Sequence, residues 1–270
     1  MSTQSAQQHI TLNTLNKLRA SGQKFSCLTA YDACFSGLLN EAGIDVILVG
    51  DSLGMVLQGH DSTLPVTMAD MVYHVQCVKR ANKRSFLMAD MPFMSYSSDT
   101  ETLENAAALM RAGAEMVKLE GGAWLESSTR LLSERGIPVC VHMGLTPQSI
   151  NRIGGYLVQG RDPVQAENMV KEALLLQEAG ASILLLECVP TALAKRITDA
   201  LDIPVIGIGA GPHTTGQVLV LHDLLGISPI KPKFVKNFLP ESDNGIAGAI
   251  KAYADAVKSG QFPAPEHCFD

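Results

Sequence analysis

The sequence predicts one (β/α)₈ barrel in a chain of 270 residues. Three observations carry that prediction. Short, continuously apolar runs alternate with amphipathic helical patterns, which requires a parallel sheet covered on both faces. One local grammar recurs, with a helix end, an Ala-Gly stop and an apolar strand, in EAGIDVILVG (41–50), RAGAEMVKLE (111–120) and EAGASILLLE (178–187). These copies lie about 70 residues apart, or two βα units, and RGIPVCVH (135–142) and LDIPVIGIG (201–209) form a second, interleaved series. Finally, helix-to-strand connections are terse, whereas strand-to-helix connections are long, above all 51–68 and 143–161. A doubly wound open sheet is the alternative, but the repeat continues without a break in composition.

The strands are expected at 25–30, 45–50, 85–90, 114–120, 138–142, 182–187 and 204–208, each a run of aliphatic residues. The eighth is the least distinct and falls in the first half of QVLVLHDLLGI (217–227). Between them, Phe35, Leu38, Leu39 and Ala42 share one face of a helix over 32–42. Ala166, Met169, Val170, Ala173 and Leu174 do the same over 163–178. Helix starts are marked by Ser98 with Glu101, by Asp162-Pro163 and by Pro190. A last helix over 244–259 closes the fold, and residues 1–9 read as a disordered polar tail before a catalytic domain spanning 10–270.

Composition excludes several classes. Hydrophobic residues make up 46% and aromatics 5%, so the core must be aliphatic. Net charge is −6 with no basic stripe, which disfavours nucleic acid. No apolar run approaches membrane-spanning length, and MSTQSAQQHI has neither the basic nor the apolar region of a signal peptide. The six cysteines form no CxxC pair and read as reduced thiols of a cytoplasmic protein.

In a barrel all strand C-termini share one face, and that face holds the active site. In chain order those ends carry Asp51-Ser52, Asp90, Lys118 and Glu120, His142, and Glu187. One acid leaving a strand is usually a solvated cap; acids at so many strand ends of one mouth need neutralising, most simply by a divalent cation. Asp51, Asp90 and Glu120 are hard oxygen donors without HExxH-type spacing, which selects Mg²⁺ over Zn²⁺ or Ca²⁺. Glu187, among Leu184, Leu185, Leu186 and Val189, suits a general base whose proton affinity is raised by desolvation. Lys118 shares a strand face with Glu120 and either balances the acids or recognises an anionic substrate group. A Schiff base is disfavoured beside such carboxylates. His142 is either a satisfied core histidine or a substrate contact. GIGAG (207–211) lacks dinucleotide-site spacing; its small residues either bind phosphate or allow close backbone approach. Together these features describe a Mg²⁺-dependent barrel enzyme acting beside a 2-oxo acid.

VGDSLGMVLQGHDSTLPVTMADM (49–71), LMADMPFMSY (87–96), MRAGAEMVKLEGG (110–122), HMGLTPQS (142–149), LLECVP (185–190), PVIGIGAG (204–211) and PKFVKNF (232–238) resemble the ketopantoate hydroxymethyltransferase family. The resemblance implies a barrel of the phosphoenolpyruvate/pyruvate type, Mg²⁺, and a homodecamer. It implies 3-methyl-2-oxobutanoate and 5,10-methylenetetrahydrofolate as substrates, joined through a Mg-stabilised enolate to give ketopantoate for pantothenate biosynthesis. By residue, Asp51 and Asp90 match metal ligands and Glu120 a metal-site acid acting directly or through water. Asp51, Ser52, Asp90 and Lys118 match substrate contacts, His142 lines the pocket, and Glu187 matches the proton acceptor. A lyase or phosphonomutase related to isocitrate lyase is the nearest rival, although the reactive-cysteine or lid motif usual there is not seen.

Overall fold

A computed structural model describes residues 8–270. Eight parallel strands close into a barrel in sequential order: β1 (Phe25–Thr29), β2 (Val46–Val49), β3 (Phe86–Asp90), β4 (Met116–Glu120), β5 (Val139–Gly144), β6 (Ile183–Glu187), β7 (Val205–Ile208) and β8 (Gly216–Leu219). Every strand residue is buried except the last of β5 and of β6, as continuous apolar runs require when helices cover the sheet. All seven expected strands are present, and the 217–227 segment divides into β8 and a helical turn.

The helices in chain order are α1 (Leu12–Ala20), α2 (Ala33–Ala42), α3 (Leu53–Val56), α4 (Met68–Ala81), α5 (Asp99–Ala112), α6 (Glu126–Ser133), α7 (Ile150–Ile153), α8 (Pro163–Glu178), α9 (Thr191–Ala200), α10 (Leu221–Leu224) and α11 (Gly245–Lys258). Their starts follow the sequence signals. Asp32, Ser98 and Asp162 accept from the backbone N–H of Phe35, Glu101 and Gln165, and Thr67 with Asp70 forms a reciprocal capping box. The recurring Ala-Gly stop has a physical reason. Gly43, Gly113 and Gly180 have φ of 80°, 118° and 103°, and the next residue in each case donates back into the helix: Ile44 to Leu39, Ala114 to Leu109, Ala181 to Leu176. Glycine there satisfies the last carbonyls and turns the chain straight into the strand.

Two departures from strict alternation matter. The chain between β7 and β8 is a loop, residues 209–215, with no helix. Both long mouth connections contain short structure: 51–68 begins with α3, and 143–161 contains a 3₁₀ turn (Pro147–Ser149) and α7. The barrel is sealed at its β1–β8 seam by Tyr253 of α11, whose buried hydroxyl lies 2.8 Å from Cys27 O and 2.9 Å from Gln217 O. At the opposite end from the mouth, α1 is tied down by Arg19, which donates to Leu201 O, and Ile10 N–H donates to Arg84 O. The tail expected over 1–9 lies, through residue 7, outside the described residues.

Candidate active site

Strand register assembles the site. Parallel pairing sets Asp90 beside Lys118, Glu120 beside His142 and Gly144 beside Glu187. Because paired residues on neighbouring strands project the same way, the polar groups at these ends meet as one layer at the mouth. Lys118 Nζ lies 3.1 Å from Asp90 Oδ1 and 3.6 Å from Glu120 Oε1. His142 Nδ1 lies 3.2 Å from both Lys118 Nζ and Glu120 Oε1. On the other side of the imidazole, Nε2 is 3.3 Å from Glu187 Oε2, close enough for an ion pair but out of hydrogen-bond alignment. Asp51 follows β2, and its backbone N–H donates to Asp90 Oδ2 at 3.0 Å. A Cβ on Gly50 would meet Ser52 Oγ at 2.8 Å, so glycine permits this close passage. Ser52 Oγ shares a 2.9 Å hydrogen bond with the Tyr31 hydroxyl.

All seven predicted residues therefore converge on one mouth, but at different depths. Asp51, Asp90, Lys118, Glu120 and His142 are buried. The Glu187 side chain keeps 14% of its surface open. Burial sets the electrostatics. It pushes the Asp51 carboxyl well above the ordinary range, and the neighbouring Asp90 and Glu120 charges add to that. Burial also raises Asp90, less so because Lys118 opposes it. For Glu120 burial is outweighed by Lys118 and His142, and its carboxyl is held below the usual range. Burial would strip the proton from Lys118, yet Asp90, Glu120 and Asp51 together hold its ammonium more firmly than in water. A charged Lys118 cannot act as a neutral amine nucleophile. Burial and Lys118 both oppose a proton on His142, but Glu120 and Glu187 prevail and raise its affinity for one.

Among the described residues no three His, Cys, Asp or Glu side chains are already drawn around one metal-sized point. The donor chemistry nevertheless fits a small hard cation. Asp90 Oδ1 is buried with no hydrogen bond aligned on it, its one charged neighbour being the Lys118 ammonium at 3.1 Å. Asp51, crowded by like charge, is a carboxylate that a cation would stabilise in its ionised form.

Three further residues belong to the site and carry no sequence signal of their own. Gln148 donates to Asp51 and Glu120, Tyr96 hydrogen-bonds Gln148, and Tyr31 holds Ser52. Each is a polar side chain leaving a strand or lying in a loop, where exposure is the ordinary expectation; only the folded chain buries them. The close-approach reading of GIGAG has a packing basis. A Cβ on Gly209 would meet Phe234 and Phe269 at 3.0–3.1 Å, and one on Gly211 would meet Thr191 at 2.7 Å, so these glycines make room for close packing.

The ketopantoate hydroxymethyltransferase family model matches residues 9–265. The chain is 62% identical over 261 residues to the 3-methyl-2-oxobutanoate hydroxymethyltransferase of Marinobacter nauticus, covering 96% of this chain and 98% of that one. Against the protein of the same name from Shewanella frigidimarina it is 59% identical over 262 residues, covering 97% and 99%. Among solved structures, phosphonopyruvate hydrolase in complex with oxalate and Mg²⁺ aligns with a TM-score of 0.61 at 13% identity, covering 78% of this chain and 81% of that one. The 2,3-dimethylmalate lyase of the PEP mutase/isocitrate lyase superfamily aligns at 0.58 and 16%, covering 77% and 80%. At such identities these two show the fold alone, a closed barrel of eight parallel strands with helices around it. The family match takes in all eight strands and every strand-end group of the mouth, and the chain belongs to the ketopantoate hydroxymethyltransferase family of transferases.

Proposed function

We propose that the chain transfers a hydroxymethyl group from 5,10-methylenetetrahydrofolate to 3-methyl-2-oxobutanoate, giving ketopantoate for pantothenate and coenzyme A biosynthesis. The observation that carries this reading is the placement of Glu187, partly open and 3.3 Å from His142, at the rim of a buried Asp51–Asp90–Lys118–Glu120 floor. That arrangement separates a base able to reach substrate from the groups that hold an anion beneath it. The relatives' shared name, at about 60% identity over nearly full length, supports the substrate.

Asp51 and Asp90 are the residues that would hold Mg²⁺, with Glu120, already engaged by Lys118, His142 and Gln148, acting through water. When bound, the ion would polarise the 2-oxo group and stabilise negative charge developing on its oxygen. The remaining steps belong to the chain. Ser52, oriented by Tyr31, and the Lys118 ammonium bind the substrate carboxylate. Glu187 removes the proton from C3, and His142 beside it steadies the carboxyl group so formed. Water adds to the one-carbon unit of the folate and breaks its bonds to nitrogen, releasing tetrahydrofolate and a formaldehyde equivalent. The carbon nucleophile attacks that carbon, and the alkoxide oxygen so formed takes a proton to give the hydroxymethyl group. A positioned base of this kind contributes roughly 10²–10⁴-fold in rate.

A homodecamer and a cytoplasmic location complete the proposal. The first rests on family membership. The second is supported by six free cysteines and by the lack of any described helix long and apolar enough to cross a membrane. The test is product formation with each component omitted in turn. Ketopantoate should appear only when Mg²⁺, 3-methyl-2-oxobutanoate and 5,10-methylenetetrahydrofolate are all present. Turnover without the folate donor would contradict the proposal. Asp51→Ala and Asp90→Ala should each weaken Mg²⁺-dependent binding of the 2-oxo acid, read by calorimetry; unchanged metal dependence in both would remove them as ligands.

A further inference from the structure

We infer that Gln148 is a positioning residue that sets the Asp51 and Glu120 carboxylates for the metal, with Tyr96 and Trp124 holding its amide in one orientation. The inference rests on the Mg²⁺ reading above. Every hydrogen-bonding atom of the buried Gln148 amide is engaged. Nε2 donates to Asp51 Oδ2 at 2.8 Å and to Met91 O at 3.0 Å, which uses both hydrogens. Oε1 accepts from the Tyr96 hydroxyl at 2.5 Å, and the Gln148 backbone N–H donates to Glu120 Oε2 at 2.9 Å. A flipped amide would turn its oxygen toward Asp51 and Met91 O, both acceptors, and its NH₂ toward Tyr96. The tyrosine would then accept from the amide and donate instead to Glu120 O, while Asp51 and Met91 O would lose their donors.

One residue of the 143–161 connection thus spans strand ends from β2, β3 and β4. It neutralises no charge. It occupies Asp51 Oδ2 and so leaves Oδ1 to face a cation, and it takes Glu120 Oε2 while Lys118 and His142 hold Oε1, which fixes that carboxylate beside the site. The support behind it is equally specific. The Tyr96 ring stacks on Trp124 with centroids 5.9 Å apart and planes 9° from parallel. Gly121 has φ 157°, and a Cβ there would fall 2.6 Å from the indole, so the stack depends on glycine at the end of β4. Gly144, φ 93°, lets β5 pass so close to Glu187 that a Cβ would stand 2.3 Å from its carbonyl oxygen, and the chain then runs directly into the turn carrying Gln148. Groups that orient metal-site carboxylates typically change metal affinity or activity by 10–100-fold when removed.

The experiment compares Mg²⁺ affinity, measured by calorimetry on the full chain without turnover, in wild type, Gln148→Met, Tyr96→Phe and the double variant. Methionine keeps the side-chain length and removes both donors. Gln148→Met should weaken Mg²⁺ binding by about 10–100-fold. Tyr96→Phe should cause a smaller loss, because the amide keeps its donors but is no longer held. The double variant should bind no worse than Gln148→Met alone, the signature of one chain of action; independent structural damage would add. The sole tryptophan of the sequence is Trp124, so Mg²⁺ titration should change its fluorescence in wild type and lose that change in Tyr96→Phe. Gln148→Met binding Mg²⁺ like wild type, or additive losses in the double variant, would overturn the inference. If Gln148→Met does not fold, Tyr96→Phe decides alone: wild-type Mg²⁺ affinity with an unchanged fluorescence response refutes it. Wild type failing to bind Mg²⁺ at all would instead refute the metal reading beneath it.

Discussion

Lys118 holds the charge balance of the mouth. It is buried between Asp90 and Glu120, and removing it leaves Asp90 desolvated with no cation and Glu120 with only His142. Breaking such a group by deleting one partner costs about 3–5 kcal/mol. Lys118→Met should therefore lower the unfolding free energy by about that amount in urea titrations of the metal-free chain, and added Mg²⁺ should recover part of the loss. Asp51 gives a pH prediction. Its folded proton affinity lies above the unfolded value, so its favourable contribution is fully present below the ordinary carboxylate range and fades as pH rises through the folded value. A cation needs the ionised form, so Mg²⁺ affinity should rise with pH over that interval, by at most about tenfold per pH unit for one displaced proton, and then level off. Calorimetry across the acid-to-neutral range checks it; affinity falling with rising pH would be the wrong sign. The strand-end residues were legible in the sequence because each one interrupts an apolar run. Gln148, Tyr96 and Tyr31 were not, because a polar residue in a connection looks the same whether water or Asp51 receives its hydrogen bond.

The Ala-Gly stops and the mouth glycines look alike in sequence but do different work. Gly43 has a left-handed backbone and open space around it, whereas Gly144 is left-handed and pressed against the Glu187 carbonyl. Gly43→Ala should cost about 1–2 kcal/mol, the strain of the left-handed conformation alone, with activity retained. Gly144→Ala should cost more and should also lower activity, since the added methyl must displace the β5 and β6 ends that carry His142 and Glu187. Urea titration with parallel assay distinguishes the two; equal effects would contradict this division. Helices and strands were readable from period and caps because those signals are local. The missing helix between β7 and β8 was not, because the repeat predicts a helix there. Only packing of 209–215 against Thr191, Phe234 and Phe269, far apart in sequence, makes the short crossover workable. The helical turn α3 escaped for a similar reason: its residues, Leu53–Val56, form a single turn stabilised by its place at the mouth.

Closure of the barrel depends on contacts between the two ends of the chain. Tyr253, near the C-terminus, puts one hydroxyl against carbonyls of both β1 and β8. Tyr253→Phe should cost about 1–3 kcal/mol, the penalty for leaving a buried acceptor without its donor. Cooperative unfolding should remain, because the aromatic packing with Phe238 and Phe262 is kept. The barrel as a whole was legible from the repeat and from the asymmetry of connection lengths, which also indicated its chemical end. The proposed function turns on one step, removal of the C3 proton by Glu187 over a floor of acids and Lys118 that would hold the 2-oxo acid. Solvent deuterium exchange at C3 of 3-methyl-2-oxobutanoate, followed by NMR with Mg²⁺ in wild type and Glu187→Gln, tests it most directly. Exchange should proceed in wild type and stop in Glu187→Gln while calorimetric Mg²⁺ binding stays nearly unchanged; exchange at the wild-type rate in Glu187→Gln would remove Glu187 from the role.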